Sequence, residues 1–257
     1  MSTIDHARVV HEATAVYDCL AAPVPHGIAA LQAWLVDRIK RAAIRRLHDS
    51  RRGEQLLLRM YLAGEEATEQ ALHEELMPQP PAWLARQVEQ HLADERRHAQ
   101  AFAEALRATG ASSTVRLAPD WVSRRKIVRW QRLARRHAPH FSSGLLVPAY
   151  ATGLCAEQMA ERVLRRHCEV IGTAHAMYPL LSGVLEDERR HVRLCARTLQ
   201  HVVASHEQER LARLLAEIRA IEAGFGVTGA LAMYAAGWLH SLSGGRQVGS
   251  RSPVVHR

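Results

Sequence analysis

A five-residue word, Asp-Glu-Arg-Arg-His, is written twice in this chain, at 94–98 and at 187–191. Each copy holds a glutamate and a histidine three positions apart, Glu95 with His98 and Glu188 with His191. On an α-helix such positions share a face, so each copy can aim a carboxylate and an imidazole at one point. Two such helices facing one another offer donors to two cations. A lone Glu-x-x-His is ordinarily an exposed helix pair. A duplicated one requires that the surroundings be searched for matching acids.

The duplication extends upstream. A shift of 92 residues lays Glu65 on Glu157, Glu69 on Glu161 and Leu72 on Leu164, and a shift of 93 lays one word on the other. The single residue of slack falls in the turns, where length varies most freely. In the first copy Leu58, Leu62, Glu65, Glu69, Leu72 and Leu76 follow one helical face, and in the second Tyr150, Leu154, Glu157, Glu161, Leu164 and Cys168 do the same. Acids therefore interrupt two faces that are otherwise apolar.

Helical rise ranks those acids. Glu65 lies about 20 Å from the Pro78 turn and Glu95 about 21 Å from Pro81, so the two stand level, while Glu69 stops at about 14 Å. In the second copy Glu157 gives about 22 Å and Glu161 about 17 Å, against about 20 Å for Glu188. Rise leaves both open there, and the repeat selects Glu157. The candidate metal-binding and catalytic residues are thus Glu65, Glu95, His98, Glu157, Glu188 and His191, with Glu69 and Glu161 as further candidate ligands. His91 stands one turn before Glu95 on the same face. It is a candidate as well, although the reading we favour is a core histidine bonded to Glu65 or a tyrosine. Val184 occupies the corresponding place in the second copy. An uncompensated carboxylate in a core costs several kcal/mol, so four glutamates on core seams call for cations. Oxygen-rich ligation with one imidazole per ion suits iron or manganese better than zinc.

The remaining chain supports a helical frame. Ala, Leu and Arg are abundant and only 5% of the 257 residues are aromatic, a bias towards helix over sheet. Residues 1–52 read as N-terminal helices (4–20 and 28–48) packed on a bundle. Residues 53–205 hold the two hairpins, 53–109 and 145–204, joined by a long crossover that carries a basic helix within 120–138. Residues 206–242 read as C-terminal helices, one to about 223 and a Gly-rich apolar one after it, and 243–257 as a disordered tail. Two short-looped hairpins with one long crossover make an all-α four-helix bundle. The four cysteines (Cys19, Cys155, Cys168, Cys195) lack Cys-x-x-Cys spacing and read as small buried residues in a reducing cytoplasm. The apolar stretch 224–242 reads as a buried helix and not as a membrane span, since small residues run through it.

The form Asp-Glu-x-Arg-His, present twice, resembles the motif of di-iron oxygenases and desaturases of the ferritin-like superfamily, over about 53–205. The resemblance implies a ferritin-like bundle in which Glu95 and Glu188 bridge two irons, His98 and His191 bind one each, and Glu65 and Glu157 complete the shell. It further implies that Asp94 and Asp187 accept from the outer N–H of the histidine on the other helix, supported by Arg97 and Arg190, an arrangement that fixes the imidazole tautomer. An additional histidine enters the iron shell in the arylamine N-oxygenase branch, and His91 is placed to do likewise.

The function implied is an O2-activating monooxygenase, hydroxylase or N-oxygenase, with two Fe ions (or Mn/Fe), O2 as co-substrate and an organic substrate. No flavin, nicotinamide or iron–sulfur motif is present in the sequence, which calls for a separate reductase or electron donor. Leu62, Phe102, Tyr61, Tyr150, Leu154, Met159 and Cys195 are candidate cavity walls, each also readable as plain core. The formal charge of +8 and the basic helix, with Trp121 and Trp130 among its arginines, make an anionic carrier protein or tRNA a candidate partner, against the plainer reading of a solvated crossover. A homodimer is open. The alternatives are a ferroxidase or iron-handling protein without an organic substrate, and a helical interaction protein that does not turn over.

Overall fold

The computed structural model describes residues 19–71, 80–111 and 121–244. Among these the regular elements are helices only: α1 (Gly27–His48), α2 (Arg51–Ala71), α3 (Ala82–Ala108), α4 (Trp121–His137), α5 (Leu146–Ile171), α6 (Tyr178–Val202) and α7 (Gln208–Gly244), with single 3-10 turns at Ala138–His140 and Ser205–Glu207. Pro81 immediately precedes α3, where a fixed φ suits a helix start. Gly172, at φ 71°, ends α5 and donates its N–H to the Cys168 carbonyl; the left-handed conformation favours glycine. The corner between α1 and α2 is tighter still. A Cβ on Gly53 would lie 2.1 Å from the Leu47 carbonyl oxygen, so no larger residue fits without moving one helix end.

Three helix pairs dominate the packing: α2 with α3, α5 with α6, and α1 with α7. Arg51 reaches the Thr109 carbonyl and Glu69 pairs with Arg96, so α2 and α3 run antiparallel. Gly153 opposite Cys195 and Glu161 beside Arg189 show the same for α5 and α6. The two hairpins meet where α3 faces α6, with Arg97 on Asp187 (2.5 Å) and His191 near Asp94 (3.3 Å).

Reading each helix as a column gives layers. One apolar layer holds Leu84 and Val88 of α3, Tyr150 and Leu154 of α5, and Cys195 and Leu199 of α6, continuous with Leu211, Leu214, Leu215 and Ile218 of α7. Another holds Leu58 and Leu62, Phe102 and Leu106, Leu164 and Cys168, and Leu181, Val184 and Leu185. Each fully buried side chain of this size contributes about 1.5–3 kcal/mol. On α3 and α6 the sequence between the two layers is polar: His91, Glu95 and His98 on one, Glu188 and His191 on the other, all buried.

Several boundaries differ from the sequence reading. The C-terminal region is one 37-residue helix, α7, rather than two; its glycines do not break it because α1 lies alongside, closely enough that a Cβ on Gly237 would be 3.2 Å from Arg46. The first part of α7, Leu211 to Ile221, joins the apolar layer of α5 and α6 and so belongs to the same core. Residues 243 and 244 continue that helix, and the rest of the expected tail lies outside the described residues, as do most of the expected helix at 4–20 and positions 72–77 of the first hairpin. Trp130 is buried in the apolar layer with Lys126 over its ring, 4.6 Å from the centroid, so it presents no aromatic face to a nucleic acid. The side chain of Trp121 lies outside the described residues. No helix among the described residues is long and apolar enough to cross a membrane.

Candidate metal centre

The polar layer is built by four helices, each contributing donors from the face its periodicity assigns to the core. α2 supplies Glu65, α3 supplies His91, Glu95 and His98, α5 supplies Glu157, and α6 supplies Glu188 and His191. Every one of these is buried. Their donor atoms fall into two groups. His91, Glu95, Glu157 and His191 bring one atom each within 4.8 Å of one another, and so do Glu65, Glu95, His98 and Glu188. Glu95 belongs to both, which is the placement of a bridging carboxylate.

In the first group His91 Nε2 lies 3.1 Å from Glu95 and 3.3 Å from Glu157, and His191 Nδ1 lies 3.2 Å and 3.9 Å from the same two carboxylates. In the second, His98 Nδ1 lies 3.4 Å from Glu65 and 3.8 Å from Glu188. Donors held about 2.0–2.2 Å from one ion are separated by distances of this order. These contacts are not hydrogen bonds, two of them by distance and the rest by direction: His91 Nε2, Glu95 Oε1, His98 Nδ1 and His191 Nδ1 are buried without a hydrogen-bond partner. Orphaned polar atoms in a core are costly, and here four of them converge on the same interior space. The residues fit a pair of cations, and four carboxylates match the charge of two divalent ions.

The far sides of the imidazoles are held by the other hairpin. His98 Nε2 is 2.9 Å from Asp187 and His191 Nε2 is 3.3 Å from Asp94. Arg97 binds Asp94 (2.7 Å) and Asp187 (2.5 Å), and Arg190 binds Asp187 (2.5 Å) and reaches Asp94 at 3.4 Å. A carboxylate only accepts, so each Nε2 carries the proton and each Nδ1 turns a lone pair inward. Burial would raise both aspartates, but the Arg97 guanidinium and His191 hold Asp94 below the usual carboxylate range, and His98 and Arg97 do so for Asp187.

The same crowding decides where protons sit. Burial, helped by the neighbouring Glu95, pushes the Glu65 carboxyl up to about 8 against its His98 contact. Burial and the Glu157 charge push Glu188 far above the carboxylate range. Burial works against ionised Glu95 as well, yet His191 and His91 hold it well below its ordinary value. His91, which burial alone would pull down, is pushed up to about 10 by Glu157 and Glu95. Protons thus neutralise part of the layer's charge, and a cation bound there would have to expel them.

Three candidates from the sequence stand differently. Glu69 lies outside both groups and pairs with Arg96 at 2.8 Å; Glu161 also lies outside, between Arg165 (3.8 Å) and Arg189 (3.7 Å). One helical turn carries each past the polar layer to the partly exposed flank, where guanidinium groups meet it. His91 is not the core histidine bonded to Glu65 or a tyrosine that the sequence favours. Its polar neighbours are Glu95 and Glu157, and its ring lies against that of His191 with centroids 3.8 Å apart. The signal was its one-turn offset from Glu95, which identifies the face but not the partner across the core. The cavity-wall candidates separate by layer: Leu62, Phe102 and Tyr61 lie on one side of the centre, and Tyr150, Leu154 and Cys195 on the other. Met159 instead contacts Lys126 Nζ at 3.8 Å. Comparison of the chain with protein-family models, with curated proteins and with solved structures finds no match.

Proposed function

We propose that this chain is a ferritin-like di-iron oxygenase, a hydroxylase or N-oxygenase, acting on an organic substrate with O2 and electrons from a separate donor. The observation that carries the reading is the pair of donor groups sharing Glu95, in which four buried donor atoms lack hydrogen-bond partners. Glu65, Glu95, His98, Glu157, Glu188 and His191 hold the metals, with His91 as a further ligand to one of them. Iron bound there supplies reductive activation of O2; manganese in one position is compatible with the same donors.

The chain's own residues do the rest. Asp94 and Asp187 fix the imidazole tautomers, and Arg97 and Arg190 lock the aspartates across the seam between hairpins. The two positions are unequal, since one has two imidazoles and the other has one. The one-imidazole position borders the layer of Leu62, Phe102 and Val184, where Val184 stands in place of a second His91. On this reading O2 and the substrate would approach from that apolar side, whose hydrocarbon walls would exclude water from the reacting centre. The exposed arginine face of α4, Arg125, Arg129, Arg132 and Arg135, is the surface on which an anionic carrier protein or tRNA would dock.

A ferroxidase would use the same ligands without an organic product. The test that separates them supplies iron-loaded protein with reductant and O2 and follows O2 consumption with a panel of amine, aromatic and carrier-bound acyl substrates. An oxygenated product whose oxygen derives from 18O2, absent with Glu95→Ala, supports the oxygenase. Iron oxidation that never couples to any organic product supports the ferroxidase instead.

A further inference from the structure

A second face of α5 carries a charged stripe that the metal centre does not use. Arg162, Arg165, Arg166 and Glu169 recur at helical spacing, so they share one side of the helix. With Asp37 and Arg41 of α1 they line a cavity of about 350 Å³. The duplication does not call for these arginines. The shift of 92 that lays Glu65 on Glu157 puts Gln70, His73, Glu74 and Met77 at the corresponding places of the first copy. No residue of the cavity belongs to either donor group of the metal centre.

Four guanidinium groups meet two carboxylates in this space. Both acids are occupied in holding the walls together. Asp37 accepts from Arg41 Nε and from Arg166 Nε, each at 2.6 Å, and Glu169 accepts from Arg41 Nη2 at 2.6 Å. Arg162 is tied to Glu222 of α7 at 2.5 Å. The guanidinium planes are therefore fixed before any ligand arrives, yet their donors are not used up. Asp37 is the one ion-pair partner of Arg166 among the described residues, although the Arg166 side chain is only 14% exposed. Arg165 has only Glu161, at 3.8 Å and so beyond a hydrogen bond, and Glu161 also faces Arg189 at 3.7 Å.

The surroundings leave this positive charge uncompensated. Lys40, next to Arg41 in sequence, is drawn below its ordinary value by burial and by the charge of Arg166; Arg162 adds to the effect and Glu222 only partly opposes it. Crowded cations of this kind are relieved by an anion placed among them. Burial would raise Asp37, but the hydrogen bonds from Arg166 and Arg41 hold it below the usual carboxylate range. Asp37 thus stays ionised and keeps orienting both arginines. Guanidinium forks match the paired oxygens of phosphate and carboxylate groups. A carboxylate offers one such pair, whereas a phosphate group turns three oxygens and close to two charges towards several forks at once. The volume decides the size: it is that of a small-molecule pocket, more than a lone phosphate ion fills.

We propose that the cavity between α1 and α5 binds the phosphate group of a small soluble molecule, a phosphate monoester or a diphosphate, through Arg41, Arg162, Arg165 and Arg166. Arg166, the most enclosed of the four, donates from within, and Arg165, half exposed, meets the ligand from the solvent side. The bound group bridges α1 and α5. The site stands independently of the metal reading, since it shares no residue with the polar layer.

The test is titration calorimetry on the full chain at fixed ionic strength, with inorganic phosphate and glycerol phosphate as probes. One equivalent of glycerol phosphate per chain is expected. Its affinity is expected to fall about tenfold or more in Arg165→Ala and in Arg166→Gln, and by less in Arg165→Lys, which keeps the charge but loses the fork. Arg107→Ala, which removes an exposed arginine of α3, is expected to bind as the wild type does. The half-exposed Arg165 is removed without touching the core, so that variant decides the matter even where Arg166→Gln does not fold. No saturable binding of either probe, an affinity unchanged in Arg165→Ala, or an equal loss in Arg107→Ala would each overturn the proposal, the last by showing general attraction to a basic chain. Vesicles of phosphatidylcholine with phosphatidic acid present the same group on a lipid. Retention on them without binding of glycerol phosphate would overturn the assignment to a soluble ligand.

Discussion

Glu95 carries the most weight of any single residue, because its carboxylate belongs to both donor groups. Replacing it with alanine is expected to abolish uptake of both ions, read as metal per chain after dialysis, whereas Glu69→Ala, which breaks only the partly exposed pair with Arg96, leaves the content unchanged. Loss of a single ion in Glu95→Ala would mean that the groups are independent. Asp94→Asn and Asp187→Asn leave the ligands in place but disturb the imidazole tautomers, and each is expected to weaken affinity about 10–100-fold. Proton competition adds a pH dependence. Glu65 and Glu188 are raised by burial and neighbouring acids, and His91 by Glu157 and Glu95, so these groups are protonated at neutral pH and release about three protons on loading. Titration calorimetry in buffers of different ionisation enthalpy should record that release, with affinity falling as pH is lowered. Six of the seven residues at the centre were legible because a duplication reports positions twice. His91 had no second copy to report it: Val184 replaces it, and the one-turn offset alone could not tell a ligand from a core histidine.

At the scale of the elements, the hairpins were legible from periodicity, and helical rise from the prolines correctly ranked Glu65 above Glu69 for level with Glu95. What escaped was the role of the small corner between α1 and α2, where Gly53 packs on the Leu47 carbonyl. Sequence shows a glycine near a helix start; only the packing of the start of α2 on the end of α1 shows that its missing Cβ permits the corner. Gly53→Ala forces that corner apart and is expected to cost about 1–3 kcal/mol in chemical denaturation, moving His48 and Glu54 with it. An unchanged midpoint would show that the corner yields freely. Phe102→Ala empties the layer beside the centre, and a loss of about 3–5 kcal/mol is expected. The continuity of α7 was equally invisible, because glycines lower helix propensity and its compensation is packing against α1, a partner remote in sequence.

For the molecule as a whole, the metal reading proposed above makes stability depend on pH and on loading. Asp94 and Asp187 are held below 3.8 by their guanidinium and imidazole partners, so their contribution is full above about 3.8 and is lost as pH falls through the lower folded values. His167 in α5 is held neutral in the fold, its value lowered from 6.5 to about 3, so its own contribution to stability declines as pH falls below about 6.5, where the unfolded chain takes up that proton first. Glu65 and Glu188, raised in the fold, act in the opposite sense over this window, so in thermal unfolding of the metal-free protein His167→Gln is expected to gain stability relative to the wild type as pH falls from about 6.5 to about 4. Loading opposes unfolding by mass action, since the unfolded chain has no assembled site. The measurement that bears most directly on the account is an anaerobic Fe(II) titration of the wild type beside Glu95→Ala, with iron per chain read at saturation. Two irons per wild-type chain and none in the variant is the predicted result. No stoichiometric iron in the wild type, or equal uptake in both, would contradict the assignment of the polar layer as a metal centre.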